Sequence, residues 1–250
     1  MKKFLFKIIK GIVKLVYPRV EFVGDIPEEP VIFVGNHAQM NSPIIFEIYP
    51  PVKLRMWCAG ALFKLKDAPS YAYTDFWSNK PRYIRLFFKV LSYVIAPLCV
   101  IVFNNAKTIG VWHDTRIITT FRKTVETLSG GESVVIFPEH LEKHNNIVYD
   151  FQTRFVDVAK LYYKKTGKCV KFVPVYVAPK LKKVFFGDSI EFSPERKIDE
   201  HRIEICNYLM DAITDIAENL PEHIVVPYEN LPKKLYPTNK KGQVNEKTCG

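Results

Sequence analysis

The chain has 250 residues, 48% hydrophobic and 25% charged, a composition that excludes a disordered chain, a collagen-like repeat and a multi-pass membrane protein. Its formal net charge of +10 sits at the ends: residues 1–19 carry six basic side chains and no acid, residues 233–250 carry five lysines against Glu246, and the stretch between holds 25 of each sign. A nucleic-acid reader carries its excess charge on the folded domain, so no nucleic-acid partner is expected, and two basic ends instead suit an anionic surface.

In chain order, residues 2–16 (KKFLFKIIKGIVKLV) predict an amphipathic helix. Lys3, Lys7, Lys10 and Lys14 step by four, three and four and share one face, while Phe4, Leu5, Ile8, Ile9, Ile12, Leu15 and Val16 fill the rest. Tyr17-Pro18 ends it, because a residue before proline disfavours helix. Lysines at every turn exclude a spanning helix. Apolar runs of only two or three residues, with no small-residue cleavage site, exclude a signal peptide. The expectation is a helix lying in a membrane surface with its lysines toward lipid phosphates. The strands expected are 20–23, 31–35, 53–57, 98–103, 133–137, 170–177 and 183–192; helices are expected at 83–95, 116–128, 151–165 and 195–219. Residues 86–103 read as a buried helix, a break at Ala96-Pro97 and a buried strand, LCVIVF. Continuously apolar strands alternating with helices predict a single α/β sandwich with a mostly parallel sheet. The domains expected are 1–18, the membrane-surface helix; 19–220, the α/β body; and 221–250, a basic tail that wraps the surface or frays. The five cysteines are scattered, without a CxxC pair, and predict neither a zinc site nor a disulfide framework. Idle thiols suit a reducing compartment, so a peripheral position on the cytoplasmic side of a membrane is expected.

Three places carry candidate chemistry. Gly35-Asn36-His37 directly follows the strand VIFVG, at the strand end where α/β folds hold reactive groups. Phe137-Pro138-Glu139-His140 follows the strand SVVIF in the same way. Val173-Pro174-Val175 interrupts a third strand, and a proline there marks an edge or a site rim.

Together these resemble the glycerolipid acyltransferase family, of the lysophosphatidic acid (1-acylglycerol-3-phosphate) acyltransferase type. That family shows, in order, NHxxxxD, a GxxFxDR-like strand, FPEGTR and a VPV-like strand. Asn36-His37 matches the first motif, Phe137-Pro138-Glu139 most of the third and Val173-Pro174-Val175 the fourth, across residues 20–192. Ser42 stands at the dyad aspartate, His140 at the glycine after the glutamate, and Leu141-Glu142 at the Thr-Arg. For the second motif, aligning LCVIVF puts Asn104-Asn105 at the Asp-Arg, whereas aligning Gly110 reaches Arg116; the first fits the hydrophobic pattern better.

The resemblance implies His37 as general base and Ser42 as its dyad partner. It implies Asn36, Glu139, His140 and Arg116 on the substrate side, with Glu139 and Arg116 positioning a phosphate-bearing lipid acceptor. No resident cofactor is expected; the donor is an acyl thioester of coenzyme A or acyl carrier protein. Because Ser42 adds no charge, Glu47, Asp75, Asp114 and Glu139 are substitute carboxylates, and a catalytically weakened acyl- or lipid-binding homologue is the alternative. A third reading is a metal-dependent hydrolase using His140 and His144 at i and i+4 with His37 or His113. It lacks the glutamate that follows the first histidine in a zincin helix, where Leu141 stands. Gly130-Gly131 without Lys-Ser/Thr is no P-loop, and Ser42 is in no GxSxG elbow.

Overall fold

The architecture is that of a computed structural model describing residues 2–77, 81–112, 114–142 and 145–240. The helices are α1 (Lys2–Val16), α2 (Asn41–Ile48), α3 (Ala68–Trp77), α4 (Arg85–Asn105), α5 (Ile117–Ser129), α6 (Asp157–Thr166) and α7 (Ile198–Glu218). The strands are β1 (Glu21–Val23), β2 (Ile32–Gly35), β3 (Leu54–Ala59), β4 (Thr108–Val111), β5 (Ser133–Ile136), β6 (Lys171–Ala178), β7 (Lys183–Phe186) and β8 (Ile190–Glu191). They form one mixed, mostly parallel sheet in the order β1-β7-β6-β2-β5-β3-β4, with β8 on β6. β6, β2, β5, β3 and β4 run parallel; β7 and β8 run antiparallel to β6. The fold is α/β, as the alternation predicts.

The period of two along each strand sorts the core into two layers. Ile32, Val34, Val134, Ile136, Phe172 and Tyr176 face α5, α6 and α7. Phe33, Val135, Val173 and Val175 face the other way, toward Ile45 and Phe46 of α2. Both faces are covered, which explains why these strands are continuously apolar.

Four expectations are corrected. Residues 86–103 contain no break and no strand: α4 runs through Pro97 to Asn105. The segment has no glycine, and one proline removes only one helical N–H. The strand expected there is β4, the short TIGV on β3. Nor is α4 buried, since only Ser92 and Ala96 are enclosed. Pro174 marks no edge: β6 lies inside the sheet, and Pro174 sits at the seam where its neighbour changes from β8, at Lys171-Phe172, to β7, from Val175 onward. Residues 183–192 divide at Gly187-Asp188-Ser189 into β7 and β8.

The basic segment after Pro221 does not fray through residue 240. Val225 and Val226 are buried, and buried Asn239 donates to Ala217 O and accepts from the His223 amide.

Candidate functional site

The parallel strands end together at one edge of the sheet. There β2 delivers Asn36-His37, β5 delivers Phe137 to His140, and β4 leads to Trp112 and Arg116. This carboxyl edge is where α/β sheets bind ligands.

His37 is held from three sides. Its amide donates to Glu139 Oε2 at 2.5 Å. Its ring lies edge-on between Phe137, at 5.6 Å, and Tyr228, at 5.4 Å. Its Nδ1 meets the backbone carbonyl of Gln39. A carbonyl only accepts, so Nδ1 carries the proton and Nε2 keeps its lone pair. Burial pushes the imidazole pKa below its ordinary 6.5, against the raising effect of the Gln39 bond, so the ring is neutral at pH 7.

The carbonyl reaches the ring because the chain turns sharply at Ala38 and Gln39, with φ of 45° and 53°. Two successive non-glycine residues in the left-handed region cost of order 1–3 kcal/mol each and persist only where surroundings dictate them. Here they do. Ala38 O accepts from the amide and the side chain of Asn41. Gln39 Nε2 donates to Glu229 O (3.1 Å) and Tyr236 Oη (2.9 Å), and Tyr236 Oη donates back to Gln39 Oε1 (3.1 Å). The C-terminal segment thus clamps the turn that orients His37.

The other expected site residues have different surroundings. Ser42 is no partner to the imidazole: its buried hydroxyl donates to Asn36 O at 2.8 Å. Asn36 is a brace between strands. Its Nδ2 donates to Val177 O and its Oδ1 accepts from Val177 N, pinning the end of β2 to β6. Glu139 is buried, and its two oxygens accept the amides of His37 and Tyr149. Burial drives its pKa up to about 7 while those amides pull it down. It braces the His37 loop from within the body. Arg116 forms paired bonds to Asp114, and its guanidinium sits over the Trp112 indole, 3.7 Å from its centre. It shares the carboxyl edge, but β4 is three strand spacings from β2, about 14 Å. His140 lies beside Glu142 and Asp150, their ligand atoms within 4.8 Å of one another.

Of the substitute carboxylates, Glu47 pairs with Lys10 (2.6 Å) and Asp114 with Arg116. The side chain of Asp75 lies outside the described residues, as do His113 and His144 of the metal reading. Gln39, Tyr228 and Tyr236 escape sequence reasoning: Gln39 and Tyr236 are 197 positions apart, and Gln39 falls on an unspecified position of NHxxxxD.

An apolar groove of about 120 Å3 opens between α1, α2 and α4. Phe6, Ile9 and Val13 of α1, Ile44 of α2 and Phe103 of α4 line it, with Met40, three residues past His37, in the wall. No protein-family model and no curated protein matches the chain. Among solved structures, the chain is similar to the crystal structure of the 1-acyl-sn-glycerophosphate (LPA) acyltransferase PlsC from Thermotoga maritima. The identity is 15%, over 86% of this chain and 81% of that one, with a TM-score of 0.44.

Proposed function

We propose that the protein transfers an acyl group from a thioester of coenzyme A or acyl carrier protein to a hydroxyl of a phosphate-bearing glycerolipid at a membrane surface. The observation that carries this reading is His37, neutral and with Nε2 unprotonated, at the carboxyl end of β2 in the Asn-His context. In the reaction, the acceptor hydroxyl gives its proton to Nε2 as its oxygen bonds to the thioester carbonyl carbon. The C–S bond then breaks, and the imidazolium returns the proton to the leaving thiolate. A positioned base of this kind contributes about 10²–10⁴-fold. The apolar groove suits an acyl chain, and Arg116 and Lys64 around Trp112 are the cations nearest in kind to what an acceptor phosphate needs.

Membrane attachment through α1 is part of the proposal. Phe4, Leu5, Ile8, Ile12, Leu15 and Val16 are exposed. The lysine stripe is divided: Lys2, Lys3 and Lys7 face solvent, Lys10 bonds Glu47, and Lys14 sits over the Tyr49 ring. The deciding measurement is acyl transfer by His37→Ala. The variant is expected to lose about 10²–10⁴-fold in kcat with an unchanged circular dichroism spectrum; near-wild-type turnover would refute the base. A second reading, a binding protein for the same ligands, is favoured by the neutral carbonyl at Nδ1. It predicts acyl-lipid binding with no turnover on either donor.

A further inference from the structure

We propose that α4 is a second membrane-insertion surface, lying flat in one leaflet beside α1. This rests on the membrane reading above and extends it to a part of the chain far from the N-terminus. Helix α4 is 21 residues, about 32 Å long, and apolar enough to cross a membrane, yet little of it is enclosed. Leu86, Phe87, Val90, Tyr93, Val94 and Leu98 all stand exposed, Leu86 at 73% and Val94 at 69%. A soluble protein rarely presents so continuous an apolar face without a partner.

Charge selects the partner. From Pro81 to Asn105 there is no acid, and Arg82, Arg85 and Lys89 crowd the first turns. Helix α1, which packs against α4, is likewise purely basic. A second copy of the chain would bring two positive surfaces together, whereas a bilayer with anionic headgroups accepts both the apolar face and the cations.

The geometry of the excursion excludes a span. The other end of α4 is tied to the body, where Asn104 Nδ2 donates to Phe63 O and β4 follows at once. The chain leaves the body through α3, only 10 residues or about 15 Å, half the hydrocarbon thickness. A perpendicular α4 would carry Arg82 and Arg85 about 30 Å from the body, twice the length of α3, and take both cations through the hydrocarbon, where a charge is costly. Lying flat instead puts these cations at the headgroups and the stripe from Leu86 to Leu98 in the acyl boundary.

Flotation of the full chain tests this on vesicles of phosphatidylcholine alone and of phosphatidylcholine with phosphatidylglycerol. The combined variant Leu86→Glu, Val90→Glu, Val94→Glu is expected to lower partitioning at least about tenfold. The milder set Leu86→Ser, Val90→Ser, Val94→Ser should fall between, with circular dichroism checking both folds. The paired α1 variant Ile8→Glu, Ile12→Glu is run alongside. Wild-type partitioning by the α4 variants, with loss only in the α1 variant, would overturn this proposal and leave attachment through α1 standing. Failure of the unaltered chain to float on either vesicle would overturn both. If the α4 variants instead turn a dimer into a monomer in sedimentation with flotation unchanged, the face belongs to a second copy and the proposal falls.

Discussion

At the scale of residues, the site turns on which groups touch the imidazole and which merely neighbour it in sequence. Ser42 occupies the position where the resembling family has aspartate, so the sequence alone argues that Ser42→Asp restores a charged dyad. The structure argues the reverse. The Ser42 hydroxyl is a donor to Asn36 O in a fully enclosed place. An ionised aspartate has nothing to donate, leaves that carbonyl unpaired and buries an uncompensated charge at a cost of several kcal/mol. We expect Ser42→Asp to lower both the thermal midpoint and acyl transfer; a variant more active than wild type would restore the dyad assignment. Glu139 makes a separate prediction. Its folded pKa is about 7 against an ordinary 4.5, so between these values the folded chain holds a proton that the unfolded chain has released. Its contribution is full below pH 4.5 and is lost as pH rises to about 7, a change of up to ~3 kcal/mol. Glu139→Gln cannot titrate. The stability of wild type relative to this variant, from denaturant curves across that range, should therefore decline with rising pH and level off above 7. A difference independent of pH would show that Glu139 titrates normally.

At the scale of elements, the placement of His37 depends on how closely β2 and β6 approach. A Cβ on Gly35 would meet Val175 O at 2.7 Å and Val175 Cβ at 3.2 Å, and both of these belong to a buried strand that has no room to give. Gly35→Ala should cost about 1–3 kcal/mol by overpacking and displace Asn36 and His37, lowering kcat as well as the thermal midpoint. Gly11→Ala is the control: nothing lies within 4 Å of its Cβ, and replacing a helical glycine stabilises by about 0.5–1 kcal/mol. Equal behaviour of the two variants would mean that the β2–β6 contact is not tight. Helix α4 carries the complementary lesson. Its β-branched, apolar C-terminal half reads as a strand, yet the helix continues, because Pro97 removes a single N–H from an otherwise intact ladder of i to i−4 bonds. The true edge strand, β4, is four residues long and interrupted by Gly110, too short for a clear strand pattern.

At the scale of the whole molecule, the residues from 222 to 240 complete the site from the far end of the chain. Tyr236 both donates to and accepts from Gln39, and Tyr228 walls the His37 ring. Tyr236→Phe removes the hydroxyl but keeps the ring. Losing a net bond of about 0.5–1.5 kcal/mol should lower kcat roughly 3- to 10-fold with KM nearly unchanged, since the turn would then hold Gln39 O against Nδ1 less often. The split between kcat and KM is the readout, because a general loss of packing would not spare KM. Unaltered kcat would show that the strained turn holds itself.

At the same scale, the sequence by itself determined the α/β class, the existence of α1, α5, α6 and α7, and the order in which Asn36-His37, Phe137-Pro138-Glu139 and Val173-Pro174-Val175 arrive at one sheet. Those features are periodic or local: a buried strand is continuously apolar, an amphipathic helix repeats at 3.6, and a motif lies within a few residues. What only the tertiary structure decided is the office of each side chain. Asn36 and Glu139 have the residue types of ligand-binding groups, but their polar atoms are committed to the backbone of β6 and of the His37 and Tyr149 segments. Gln39 has no such look, yet its carbonyl sets the tautomer of His37, held by a tyrosine nearly two hundred positions later. A hydrogen bond depends on distance and direction in space, and the chain closes those distances only after the sheet has assembled and its C-terminal segment has folded back across it.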